Sequence, residues 1–186
     1  MKQDLHKLTL QVDENTHLRV PCLEDAGALF SVVDANREHL RRFMWWVDHN
    51  TAPSGSEFFI RDAIQKATEG AQLHLCIYHH GQIVGTVGFH YLDYINLRTE
   101  IGYWLAKEFE GRGIITNSSR VLVRFAFETL GFHRIELRSS VENDKSRRIA
   151  ERLGFTLEGI ARESCKLATG FHNMQVFSLL STEAIL

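Results

Sequence analysis

Proline is scarce, with two in 186 residues, at Pro21 and Pro53. The chain also lacks any repeat, low-complexity tract or Pro/Gly/Ser-rich stretch. Nothing therefore marks a linker, and residues 1–186 are expected to form one domain. The three cysteines, Cys22, Cys76 and Cys165, are odd in number and far apart. That spacing makes neither a disulfide framework nor a zinc site, and it fits a reducing compartment. The ten histidines are scattered, and His79-His80 beside Gly81 reads as a turn, so no metal is expected. The formal net charge of −2 contains no basic excess, which argues against a nucleic-acid partner. No stretch reaches the roughly 18 apolar residues of a membrane span. The segment Met1-Lys2-Gln3-Asp4-Leu5-His6-Lys7 has no apolar run of signal-peptide length. The expectation is a cytoplasmic protein without a membrane partner.

What is present alternates between two periods. Leu8–Val12 and His17–Val20 alternate apolar and polar residues and read as two short strands or one bent hairpin. Ala26, Leu29, Phe30 and Val33 recur at helical spacing behind the acidic start Glu24-Asp25. A second short helix is expected over Asn36–Phe43, ending in Met44-Trp45-Trp46-Val47. That aromatic cluster suits either a core or the wall of a cleft. A third helix follows Pro53, with Phe58, Phe59, Ala63, Ile64 and Ala67 as its stripe and Gly70 as its cap. Leu73–Tyr78 and Gln82–Tyr91 form a hairpin around His79-His80-Gly81. In the next strand, Arg98 to Leu105, parity puts Glu100, Gly102 and Trp104 on one face and Ile101, Tyr103 and Leu105 on the other. A helix with Val121, Leu122, Phe125, Ala126 and Leu130, a strand around Ile135 and Leu137, and a helix opened by Asn143-Asp144 come next. Two more strands close the chain. The fold class expected is α/β, a single mixed, mostly antiparallel sheet of about seven strands flanked by helices.

The centre of this pattern is the loop Glu110-Gly111-Arg112-Gly113. It joins a strand to the start of an amphipathic helix. The first N–H groups of a helix lack internal acceptors, and the helix dipole adds positive potential there. Glycine lets an anion approach that backbone closely, so the stretch suits a phosphate.

Two separated motifs give the chain a resemblance. Glu110-Gly111-Arg112-Gly113-Ile114-Ile115 resembles the Q/R-x-x-G-x-G/A pyrophosphate loop of the GNAT superfamily of acyl-CoA N-acyltransferases. Asn143-Asp144-Lys145-Ser146, followed by Glu151-Arg152-Leu153-Gly154-Phe155, resembles that superfamily's second motif. A narrower similarity, to the Rim group of ribosomal-protein N-terminal serine and alanine acetyltransferases, spans Asn36–Leu40, Trp46-Val47-Asp48, Glu100–Leu105, Gly113–Thr116 and Gly170–Asn173. The chain departs from the pattern at Glu110, at Ile115 and at Asn173, where an acid is usual. Glu110 is expected to point away from the phosphates, with Arg112 compensating its charge.

The resemblance implies a GNAT-like fold and acetyl transfer from acetyl-CoA to a primary amine. It implies cofactor contacts from Trp104, Leu105, Glu110, Gly111, Arg112, Gly113, Ile114, Ile115, Thr116, Asn143 and Ser146. Ser146 is the candidate for the group that hydrogen-bonds the thiol, and Asn143 for the one that holds the pantetheine arm. Both residue types are also ordinary helix caps. An α-amino group has a pKa near roughly 7.7–8.0, so a modest base or a water relay suffices to remove its proton. Glu100 and Glu136 are the leading candidates, with Glu163 behind them and a salt bridge to Arg98 or Arg138 as the structural alternative. Cys165 is an ordinary strand cysteine. The acceptor expected is the N-terminal α-amino group of a ribosomal or other protein. The alternatives are a small amine such as a polyamine, an aminoglycoside or an amino acid, and a non-catalytic acyl-CoA-binding module. Self-association is a further implication of the resemblance.

Overall fold

Alternate residues along the strands feed two separate apolar cores, one on each side of a single sheet. The computed structural model describes residues 4–184. In chain order the elements are β1 (Thr9–Gln11), β2 (Thr16–Arg19), α1 (Ala26–Ala35), α2 (Arg37–Arg41), α3 (Pro53–Glu69), β3 (Leu73–His79), β4 (Gln82–Asp93), β5 (Arg98–Leu105), α4 (Ile114–Arg124), β6 (Arg134–Ser140), α5 (Asp144–Arg152), β7 (Thr156–Leu167) and β8 (Gly170–Leu180). Short 3-10 turns precede α1 and α3, and a π-helical turn, Phe125–Thr129, extends α4. The strand order is β1-β2-β3-β4-β5-β6-β8-β7. There are eight strands because the N-terminal segment folds as a hairpin of two, with Thr9 opposite Arg19. All pairs are antiparallel except β5 with β6. A parallel pair needs a crossover, and α4 supplies it.

The first core takes Leu75 and Ile77 from β3, Phe89 from β4, Ile101 and Leu105 from β5, and Leu122, Phe125 and Ala126 from the α4 region. The second takes Cys76, Tyr78, Ile83 and Trp104 from the opposite sheet face, with Leu29, Val33, Leu40 and Ile60 from the helices. Each fully buried aliphatic side chain contributes about 1.5–3 kcal/mol, so both faces anchor the sheet. The parity expected for β5 holds: Ile101 and Leu105 enter one core and Trp104 the other. Two stripe assignments need correction. Phe58 is 75% exposed, while Ile60 is fully buried. On α4, Val123 is buried and Val121 only half so. In each case the apolar residue nearest the sequence-based stripe lies just off the packed face, because a helix turns about 100° per residue.

One irregularity organises the site. β5 and β6 pair from Arg98 opposite Arg134 to Ile101 opposite Leu137, and no further. β5 then runs on to Leu105 and β6 to Ser140, so the two strands part. A second irregularity lies next door on β4, where the register with β5 shifts between Phe89 and Leu92. His90 and Tyr91 both stand opposite Glu100 there, as in a β-bulge. Among the described residues, no helix is long and apolar enough to cross a membrane.

Candidate active site

Gly113 is the N-cap of α4 with φ of 78°, and Gly111 has φ of 76°. Both lie in the left-handed region, where a β-carbon costs about 1–2 kcal/mol. The loop therefore needs glycine at these positions to turn sharply from β5 into the helix. The free N–H groups of the first α4 turn open onto a cleft of about 650 Å³. Trp104 and Leu105 of β5 line it, as do Glu110, Gly111 and Gly113 of the loop. Ile114, Ile115 and Thr116 of α4 form one wall, and Asn143 and Ser146 at the start of α5 form another. Tyr103 packs with the first core and Trp104 with the second, and both border the cleft. The cleft thus passes through the sheet where β5 and β6 part.

Its outer end is basic on balance: Arg42, Lys145, Arg148 and Arg152 line it alongside His39, against the acids Glu110, Glu142 and Asp144. Glu110 does not turn to solvent, and Arg112 does not balance it. The Glu110 carboxylate pairs with Lys145 and lies 3.5 Å from His39 Nε2. Arg112 instead donates to the Glu108 carbonyl at 2.9 Å, lies over the Phe109 ring, and is absent from the cleft wall. Residues two apart in extended backbone would share a face, but Gly111 between them is left-handed at φ of 76°, and the turn sends the two side chains apart.

The inner end carries two hydroxyls. The Asn143 side chain caps α5, its Oδ1 accepting the Ser146 N–H at 3.1 Å. This fixes the first turn and aims Ser146 Oγ at Tyr103 Oη, 3.0 Å away. Burial pushes the Tyr103 phenol up to about 12, although the Ser146 hydrogen bond pulls the other way. The phenol therefore stays protonated and can donate. Parity placed Tyr103 on the face opposite Trp104, yet nothing in the sequence showed that α5 would bring a hydroxyl to it.

Glu100 and Glu136 are cross-strand neighbours, Glu100 opposite Glu136, and neither lines the cleft. Glu136 is buried between two arginines, with Arg134 at 3.1 Å and Arg138 at 3.2 Å. Arg134 also grips Glu158, holding its carboxyl down at about 2 with help from the Ser178 hydroxyl. Glu100 lies 3.4 Å from Arg138 and 2.9 Å from His90. Glu163 sits in a β7 irregularity with φ of 49°, where its N–H donates to Asn173 Oδ1 at 2.9 Å. Asn173 thus holds a strand distortion. Cys165 is a free, half-buried thiol on β7 whose pKa burial raises.

The aromatic cluster divides between the two roles weighed for it. Trp46 packs on Trp104 at 6.1 Å, Trp45 is largely exposed, and Phe43 and Met44 border the cleft. Among the described residues, no group of His, Cys, Asp and Glu could hold a metal ion.

Comparison with known proteins agrees with this geometry. The Acetyltransferase (GNAT) domain family matches residues 15–156. A Bacillus subtilis (strain 168) protein named putative ribosomal N-acetyltransferase YdaF is 34% identical over 176 residues, covering 94% of this chain and 96% of its own length. The ribosomal-protein-serine acetyltransferase of Escherichia coli (strain K12) is 21% identical, covering 91% and 95%. The crystal structure of the microcin C7 self-immunity acetyltransferase MccE, solved with acetyl-CoA and AMP, superposes with a TM-score of 0.89 at 29% identity, covering 92% of this chain and 95% of that one. The domain match and the near full-length relative show that the chain belongs to the GNAT acetyltransferase family.

Proposed function

We propose that this chain transfers the acetyl group of acetyl-CoA to the α-amino group of a protein N-terminus, as one acetyltransferase domain. The observation that carries the reading is the through-sheet cleft, basic at its outer end and lined by two hydroxyls at its inner end. The outer end suits a pyrophosphate, which the α4 N-terminus and its basic neighbours would hold. The gap between β5 and β6 leaves strand edges without ladder partners, and these suit the amides of a pantetheine arm. Ser146 and Tyr103 then stand where a thiol would end, able to donate to it as it leaves. Backbone N–H groups of β5 beyond Ile101 suit the oxyanion of the tetrahedral intermediate.

Two observations favour a peptide over a polycation. Relatives over nearly the whole chain bear ribosomal-protein names. In the cleft wall the acids Glu110, Glu142 and Asp144 are outnumbered by Arg42, Lys145, Arg148 and Arg152, whereas a polyamine needs an acidic excess. The test is thiol release from acetyl-CoA with a Ser- or Ala-terminated peptide against spermine. Turnover of the peptide, with mass spectrometry placing the acetyl on its α-nitrogen, is expected. Turnover of spermine alone would move the acceptor to small amines. Tight acetyl-CoA binding with no turnover of any amine would leave only a binding module.

A further inference from the structure

On the sheet face that Trp104 shares, a histidine ring lies down on a glycine. A β-carbon on Gly102 would stand 2.2 Å from His90 Nε2, whereas one on Gly88 would meet first the Leu73 backbone carbonyl at 2.2 Å. His90 Nε2 therefore occupies the space that a side chain of residue 102 would fill. Gly102 is the first β5 residue beyond the last rung to β6, Ile101 with Leu137. Two residues on, Trp104 lines the cleft. The imidazole thus stands over β5 one residue past the last rung, outside the cleft wall itself, on the face opposite the Tyr103–Ser146 pair.

The β4 bulge sets His90 opposite Glu100, and Nδ1 lies 2.9 Å from Glu100 Oε1. A carboxylate only accepts, so Nδ1 carries a proton, and in the neutral ring Nε2 then keeps its lone pair. Arg138 holds the other Glu100 oxygen at 3.4 Å, which leaves Oε1 for the ring. The His90 side chain is 51% exposed, so a proton taken up there has a way out to water.

We propose that His90 Nε2 accepts the proton of the acceptor amine, with Glu100 as the positioning residue that fixes its tautomer. This rests on the acetyl-transfer reading above. The amine nitrogen forms its bond to the acetyl carbon, and the carbon–sulfur bond breaks as the tetrahedral intermediate collapses. The amine proton goes to Nε2 and then to water. The leaving thiolate takes a proton from the Tyr103–Ser146 hydroxyls, which regain one from water. The charged and titratable groups around the ring are His74 on β3, Glu100 on β5, Arg138 and Glu136 on β6, and Asp62 and Lys66 of α3 beyond His74. His74 does not compete for the proton, because burial, with His90 beside it, pushes its pKa down to about 4.

The experiment measures kcat and KM from about pH 6 to pH 9 with acetyl-CoA and a Ser-terminated peptide, for wild type, His90→Gln, His90→Ala and Glu100→Gln. The acceptor α-amine must be neutral whatever the base, so a climb with pH toward its own pKa near roughly 8 is expected in every variant. His90→Gln should lose about 10²-fold in kcat, with KM for acetyl-CoA unchanged. Added imidazole should restore part of the rate to His90→Ala, which a folding defect would not allow. Glu100→Gln should lower kcat with KM for acetyl-CoA unchanged, because the ring loses the carboxylate that holds its tautomer. Wild-type kcat in His90→Gln would overturn the assignment of His90 alone. No turnover by wild type with any amine would overturn the acetyl-transfer reading, and this assignment with it.

Discussion

Tyr103 Oη lies 3.0 Å from Ser146 Oγ, a bond that joins the middle of β5 to the first turn of α5 across 43 residues of sequence. Both hydroxyls border the cleft, and either can donate. A leaving thiolate needs one donor, and the pair supplies it as a unit. Tyr103→Phe and Ser146→Ala should each lower kcat by about 10- to 100-fold, with little change in KM for acetyl-CoA. The double variant should fall short of the product of the two, because neighbours in one network are not additive. Steady-state kinetics on the three variants check this. A multiplicative double variant would mean that the residues act separately.

Glu110 competes with any phosphate for Lys145. Removing its charge should tighten acetyl-CoA binding in Glu110→Gln by a few-fold at low salt and by less at high salt, where screening shortens the reach of charge. Lys145→Ala should weaken binding. Calorimetric titration at two salt concentrations reads both effects. Unchanged affinity in Glu110→Gln would mean that the carboxylate swings clear when the ligand enters.

Two glycine substitutions should move stability in opposite directions. Gly113→Ala forces a β-carbon into a left-handed conformation and should cost about 1–2 kcal/mol, together with weaker acetyl-CoA binding. Gly27 lies inside α1 with open space around it, so Gly27→Ala should add roughly 0.5–1 kcal/mol. Urea melts of the two variants decide the matter. A stabilised Gly113→Ala would show that the loop relaxes to another turn.

His74 gives a dependence on acid. Burial holds its pKa down at about 4, from an ordinary 6.5. Below the unfolded value, the unfolded chain binds the proton and the folded chain does not, so stability falls as the pH drops from about 6.5 toward 4. The loss from this one group is at most ~3 kcal/mol. His74→Gln should flatten that part of the stability curve in urea melts across the range. A curve with the wild-type slope would assign the acid sensitivity to other groups.

The sequence carried the periodic part of this molecule. Strand parity along β5 separates Trp104 from Ile101 and Leu105 from the sequence alone, because alternation is local geometry. Gly113 and Asn143 were legible for the same reason, since a positive φ and a helix cap are set within a few residues. Pairings across the fold were not legible. Lys145 meets Glu110 only because α5 begins beside the loop. His90 meets Glu100 only because β4 bulges one residue before its register would have carried the ring elsewhere. The clearance over Gly102 left a trace in the sequence, but a glycine in a strand also marks a bulge or a close backbone, so the residue alone could not say what lay above it.

The parting of β5 and β6 has a mechanical side. Four rungs, from Arg98 with Arg134 to Ile101 with Leu137, are the whole ladder between β1–β5 and the trio β6, β8 and β7. The sheet is two plates riveted along a short seam. A substrate lodged beyond the last rivet braces the joint from its open end. The protein with its cleft filled should therefore resist heating and amide exchange along that seam more than anywhere else.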